Sequence, residues 1–306
     1  MPTTAVSPST ETVATTARAN TPLPVTAGVE IECNYPPGIS DVYSRERIIL
    51  LDTIASELRA LGIPALSNGD LSAGIHHGIV VDSSYRHWHI GTDWSCGIEC
   101  RSRIFTHLEA METELKTVCQ VLANHGIVAD DSCGLHVHLG TGVAEPRAIN
   151  KFHQCLIRNE DNLFRLVPRS RRGNSYCPAL TWNSYRWLTE LIATERSHET
   201  WGSRYWFHQS SKMTTEIRIQ KGSVDAAVIH GWISLLEQLW LASQQTQFDP
   251  EWRVLRVISQ LSPGVRNGFP TKLAALATAN RILKPGGNTP FLLAAKKYLK
   301  QFNHAA

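Results

Sequence analysis

Polar and apolar positions alternate with a period of two in four separate stretches of this chain. In Gly28-Val29-Glu30-Ile31-Glu32 an extended backbone sends Glu30 and Glu32 to one face and Val29 and Ile31 to the other. Gly134-Leu135-His136-Val137-His138-Leu139 repeats the design with two imidazoles on the polar side. Thr215-Glu216-Ile217-Arg218-Ile219-Gln220 aligns Glu216, Arg218 and Gln220, and Gly97-Ile98-Glu99-Cys100-Arg101-Ser102-Arg103 aligns Glu99, Arg101 and Arg103. Between these strands the period lengthens to that of a helix. A helix is predicted from about 44 to 61, carrying Ile48, Leu51, Ile54, Ala55 and Leu58 and stopping at Gly62 and Pro64. A second starts at Thr106, where Thr106 and Glu109 form a capping-box pattern, and runs to Gly126. Others are predicted at about 146–166, 181–194, 226–243, 271–283 and 290–302. The layout is that of an α+β protein, a mainly antiparallel sheet with helices on one face and the other face open for chemistry.

Composition narrows the field without choosing a function. With 306 residues, 42% hydrophobic and 19% charged, the chain can bury a substantial core. A net charge of +3 is too small for a dedicated nucleic-acid or membrane-surface binder. No run approaches the roughly 18 apolar residues that span a bilayer. The seven cysteines follow no CxxC pairing, and reduced thiols in a cytoplasmic protein are expected. Residues 1–26, rich in Ala, Thr, Ser and Pro, read as a disordered tail, and 27–306 as a single domain with a helical part after about 241.

The candidate chemistry lies on the polar faces of the four strands. Glu30 and Glu32 would stand about 6.7 Å apart along the strand. Their repulsion, about 2 to 3 kcal/mol at an effective dielectric of 20, would be relieved by a bound cation. An isolated pair of this kind is also the mark of a solvated strand face, but four strands with carboxylate, imidazole or guanidinium groups at the same spacing are not. Carboxylates suit hard divalent cations, and arginines suit bidentate phosphate contacts and the neutralisation of developing charge. That is the equipment of phosphoryl transfer. Zinc hydrolysis is the rival by residue type, because an HxH pair is common in such sites, and His87, His89, Asp93, Cys96 and Cys100 offer a second candidate zinc cluster. Phosphate loops of the GxxxxGK[ST] type, GxGxxG turns and GxSxG elbows are absent from the sequence.

The strands, in this order, resemble the amidoligase family, within the superfamily of glutamine synthetase and glutamate-cysteine ligase. The resemblance runs from Gly28 to about Trp240. It rests on Gly28-Val29-Glu30-Ile31-Glu32, on Asp93-Trp94-Ser95 with Glu99 and Ser102, and on Cys133-Gly134-Leu135-His136-Val137-His138. It also rests on Arg171-Arg172-Gly173-Asn174-Ser175-Tyr176-Cys177 and on Thr215-Glu216-Ile217-Arg218 leading to Gly222-Ser223-Val224-Asp225. Cys33 stands where the family usually has an aromatic residue, and Arg103 where it has proline.

The resemblance implies a sheet forming a funnel-like site. Glu30, Glu32, Glu99, His136 and Glu216 would hold two or more Mg2+ ions, with Mn2+ as a substitute, bridging the phosphates of ATP. His138 and Arg218 would contact phosphate, with Arg103 beside them. Arg171 and Arg172, unless they form only a solvated basic turn, would steady the transferred group or grip the acid, and Asp93 is a candidate base for the amine unless it merely caps a turn. The expected reaction joins a small-molecule or peptide carboxylate to an amine through an acyl phosphate, releasing ADP and phosphate. A phosphotransferase on the same scaffold is the second reading and a zinc hydrolase the third. A homodimer is expected, and neither a membrane nor a nucleic acid is expected as a partner.

Overall fold

The computed structural model describes residues 22–39, 45–67, 85–93, 95–172, 174–180 and 205–245, with positions 190, 191, 194 and 196. The helices expected at 271–283 and 290–302, most of the one at 181–194, and residues 1–21 of the leader lie outside them.

Eight strands make one sheet: β1 (Pro22–Cys33), β2 (Ala65–Ser67), β3 (Trp88–Asp93), β4 (Gly97–Arg101), β5 (Phe105–His107), β6 (Gly134–Leu139), β7 (Phe207–Gln209) and β8 (Thr215–Lys221). They lie in the order β2-β3-β4-β1-β6-β8-β7, with β5 also paired to β1. Among the described strands, only β2 and β3 run parallel; the other pairs are antiparallel. The first strand in sequence is therefore the centre of the sheet. It also starts earlier than expected. Pro22 to Thr26, assigned above to a disordered tail, belong to β1, because β5 gives Pro22 and Ala27 partners in His107 and Phe105 and lets Val25 and Ala27 bury.

Among the described residues, five α-helices accompany the sheet: α1 (Arg45–Ala60), α2 (Leu108–Asn124), α3 (Pro146–Arg158), α4 (Glu160–Leu166) and α5 (Ala226–Ser243). Helix α1 buries Leu51, Ile54, Ala55 and Leu58 and gives way to Gly62, whose φ of 83° is left-handed. Helix α2 is capped by His107 rather than Thr106, and no side chain caps it. The capping-box pattern fails because pairing with β1 draws Thr106 into β5. The helix expected over 146–166 breaks at Asn159, whose amide donates to the Cys155 carbonyl at 2.8 Å. Helix α5 begins where Asp225 accepts a hydrogen bond from the Ala227 amide at 2.8 Å.

Helices α1, α2 and α5 pack against one another and the sheet, and their apolar residues join Val29, Ile31, Leu135, Val137 and Ile217 in one cluster. All seven cysteines are free thiols. Among the described residues, no helix is long and apolar enough to cross a membrane.

Candidate functional site

Strand pairing brings the charged positions into two rows on the face opposite the helices. β1 places Glu30 between Arg101 of β4 and His136 of β6, and Glu32 opposite Glu99. β6 pairs His138 with Glu216 of β8, and β7 sets His208 against Glu216 from the other side. The carboxylates are then drawn onto the imidazoles. His136 Nδ1 lies 3.1 Å from Glu30 Oε2 and 3.6 Å from Glu216 Oε1, while its Nε2 lies 3.3 Å from Glu32 Oε1. His138 Nε2 lies 3.2 Å from Glu30 Oε1 and 3.9 Å from Glu216 Oε2.

The electrostatics follow from this crowding. Burial works against the charge on Glu30, but the hydrogen-bond contact with His136 and the nearby His138 imidazole outweigh it and hold Glu30 well below the usual carboxylate range. Burial likewise opposes protonation of His136, yet its Glu30 hydrogen bond and the Glu32 charge raise its pKa. Glu99 goes the other way: burial, then the Glu30 charge, push it up to about 7 against the pull of Arg101. Arg101 Nε still pairs with Glu99 at 2.8 Å.

Among the described residues, Glu30, His138 and Glu216 offer ligand atoms that all lie within 4.8 Å of one another. The donor set fits a divalent cation. Two carboxylate oxygens and one imidazole nitrogen suit Mg2+ or Mn2+ more than a thiolate-rich zinc site. His138 is oriented for the task, since its Nδ1 contacts Thr214 Oγ1 at 2.9 Å and turns Nε2 toward the carboxylates. That Nε2 is buried and makes no well-aligned hydrogen bond within the protein.

The expected ligand set is thus split. Glu30 and Glu216 converge, joined by His138, for which a phosphate contact was expected. His136 stands between Glu30, Glu32 and Glu216 with both ring nitrogens facing carboxylates, and Glu32 also accepts the Gly134 amide. Arg218 Nη1 is 3.7 Å from Glu216 Oε1, within the site.

The remaining predicted residues fall elsewhere. Arg103 lies outside the cluster: it forms a bidentate pair with Glu114 of α2, with contacts of 2.9 and 2.7 Å, and its guanidinium lies 4.7 Å from the Phe105 ring centre. The alternation breaks after Arg101, where the Ser102 hydroxyl accepts the Val29 amide and the strand ends. Arg172 is exposed and donates to the carbonyls of Val167 and Arg165 past the end of α4 rather than reaching over the site. Arg171 is not in an exposed loop but buried at 2% exposure. It donates to the Arg218 carbonyl at 2.9 Å, and its guanidinium flanks Glu32 and His136 around Gly134. Asp93 caps the β3–β4 turn, accepting from the Ser95 amide and hydroxyl and from the Cys96 amide. Despite burial, those bonds keep it ionised below the usual range, which leaves it a poor base. The candidate zinc cluster does not assemble: among the described residues, His87, His89, Asp93, Cys96 and Cys100 bring no three ligand atoms together, and Cys100 is in the core.

Two residues at the site were missed in the sequence. His208 Nε2 lies 3.3 Å from Glu216 Oε2, and Lys212 Nζ lies 3.2 Å from Glu30 Oε1. Both belong to the short β7–β8 hairpin, whose three-residue β7 is too brief to show a period. The available signal was the symmetric spacing of His208 and Glu216 about the polar loop at 210–214. An open cavity of about 520 Å3 leads to the cluster, with Glu30, His138, Arg101 and Lys212 at its charged end and Tyr85 and Ile104 on its wall.

The family described as "Putative amidoligase enzyme" matches residues 24–240, more than half of the chain. A solved structure with some likeness is the cryo-EM structure of Plasmodium falciparum glutamine synthetase, with 11% identity and a TM-score of 0.41, the match covering 92% of this chain and 72% of that one. No curated protein matches. By the match over residues 24–240, the chain belongs to the amidoligase family of ligase-type enzymes.

Proposed function

We propose that the protein is an ATP-dependent carboxylate-amine ligase whose site lies on the open face of the sheet, at Glu30, His138 and Glu216. The convergence of these three groups, ringed by Arg101, Lys212 and Arg218, is the observation that carries the reading. Glu30, Glu216 and His138 would hold Mg2+, which supplies charge neutralisation at the phosphates. Glu32 and Glu99, in the next row, are where a second ion would sit.

On this reading the acid substrate enters through the 520 Å3 cavity, and its carboxylate oxygen attacks the γ-phosphorus of ATP as the bond to ADP breaks. Arg218 and Arg101 offset the charge that builds on the transferred group. The amine then adds to the acyl carbon of the acyl phosphate, inorganic phosphate leaves, and the proton lost from nitrogen passes to solvent or to a nearby base. Arg171 acts at one remove, by fixing the Arg218 backbone.

The test is release of ADP and phosphate by purified protein with ATP and Mg2+, against pooled acids and amines. Turnover that requires both an acid and an amine, and that is lost in Glu30→Gln, is expected. Turnover with the acid alone, yielding a stable phosphorylated product, would establish the phosphotransferase instead. Tightly held zinc with no nucleotide turnover would establish the hydrolase.

A further inference from the structure

The open face already holds cationic side chains beside its carboxylates. Glu30, Glu32, Glu99 and Glu216 face Lys212, Arg171, Arg101 and Arg218. Three of these four cations are held in place. Arg101 and Arg218 stand in β4 and β8, and Arg171 is buried and donates to a backbone carbonyl. Lys212 differs, because its side chain is 37% exposed and sits at the tip of the β7–β8 hairpin. The hairpin backbone is itself fixed: Met213 donates to the Ser210 carbonyl at 3.1 Å and accepts from the Gly142 amide at 2.7 Å. Movement of this charge is therefore movement of the lysine side chain alone.

The oxygen it occupies matters. Lys212 Nζ and His138 Nε2 each lie 3.2 Å from Glu30 Oε1, an oxygen of the converging group. An ammonium and a divalent ion on one carboxylate oxygen repel, so the two occupants compete. Lys212 also lines the cavity, so a side chain released from Glu30 remains where an anionic substrate enters.

We propose that Lys212 is an exchangeable counter-ion: it neutralises Glu30 until a divalent cation binds, then moves off to meet the phosphate that accompanies the cation. This rests on the metal and nucleotide reading above. Removing the ammonium therefore has opposite effects on the two ligands, which a merely structural surface lysine would not produce.

The experiment is calorimetric titration of the full chain with Mn2+ alone, and then of the Mn2+-loaded protein with a non-hydrolysable ATP analogue. Wild type, Lys212→Gln and Glu30→Gln are compared, with circular dichroism to check folding. Lys212→Gln should bind Mn2+ roughly two- to fivefold more tightly, the range of one partly exposed ion pair, and the analogue several-fold more weakly. Unchanged or weaker Mn2+ binding in Lys212→Gln, with binding lost in Glu30→Gln, overturns the counter-ion role while leaving the metal site standing. Tighter Mn2+ binding with unchanged analogue affinity overturns the exchange. Equal Mn2+ binding in wild type and Glu30→Gln overturns the metal reading itself.

Discussion

Glu30 on the sheet and Glu237 on α5 are both withdrawn from water, and their surroundings drive them in opposite directions. Glu30 has two imidazoles and an ammonium within about hydrogen-bond reach and stays ionised below the usual range. Glu237 is 4% exposed, its Oε1 has no hydrogen-bond partner, and burial alone pushes it up to about 8. Burial of a carboxylate is thus no guide to function. Convergence of partners from several strands is, and Glu237 has the profile of a residue that burdens stability without serving a site.

The contrast can be broken by substitution. Glu216→Gln removes one member of the converging group and should weaken Mn2+ binding about a hundredfold or more, read by calorimetry, with the melting temperature unchanged or raised. Glu237→Gln should do the reverse, leaving Mn2+ affinity alone and changing stability. Because the folded pKa of Glu237 lies above the unfolded one, the native state keeps a proton that the unfolded chain releases between about pH 4.5 and 8. Wild-type stability should fall as pH rises through that window, and the advantage of Glu237→Gln should grow to about 5 kcal/mol above pH 8 in urea melts, vanishing near pH 4.

Two smaller changes sharpen the comparison from the structural side. A Cβ at Gly222 would come within 2.6 Å of the Cys133 Cβ and of the Glu32 carbonyl, so Gly222→Ala should cost about 1 to 3 kcal/mol in chemical denaturation. It should disturb Mn2+ binding only through Glu32. Arg172→Ala should cost about 0.5 to 1 kcal/mol and leave turnover within about twofold, because its bonds end on backbone carbonyls away from the site.

The strands that carry the site were legible because each buries one face, and a period of two then assigns every side chain. Glu30, His136, His138, Glu216 and Arg218 lie on one face as their spacing predicts. Arg103 was misplaced because periodicity does not reveal where a strand ends, and β4 ends at Arg101, two residues before it. Thr106 was misread because a local capping pattern lost to pairing with a distant strand. The roles of His136 and His138 depend on which neighbours β8 brings, and β6 and β8 slip register between Leu135 and Val137. No pattern within a single strand contains that information. The same holds for Lys212, which reaches Glu30 across 182 positions of sequence.

The central position of β1 also has a consequence for how the protein is made. The strand precedes its neighbours β4 and β6 in the chain by many residues, and β8, which supplies Glu216, comes after both. Almost every contact that shapes the site is distant in sequence, a topology that folds slowly and leaves an apolar strand edge waiting for partners during synthesis. Glu30, His138 and Glu216 therefore come together only once β8 has emerged, so any cation that they hold would bind after that strand has joined the sheet.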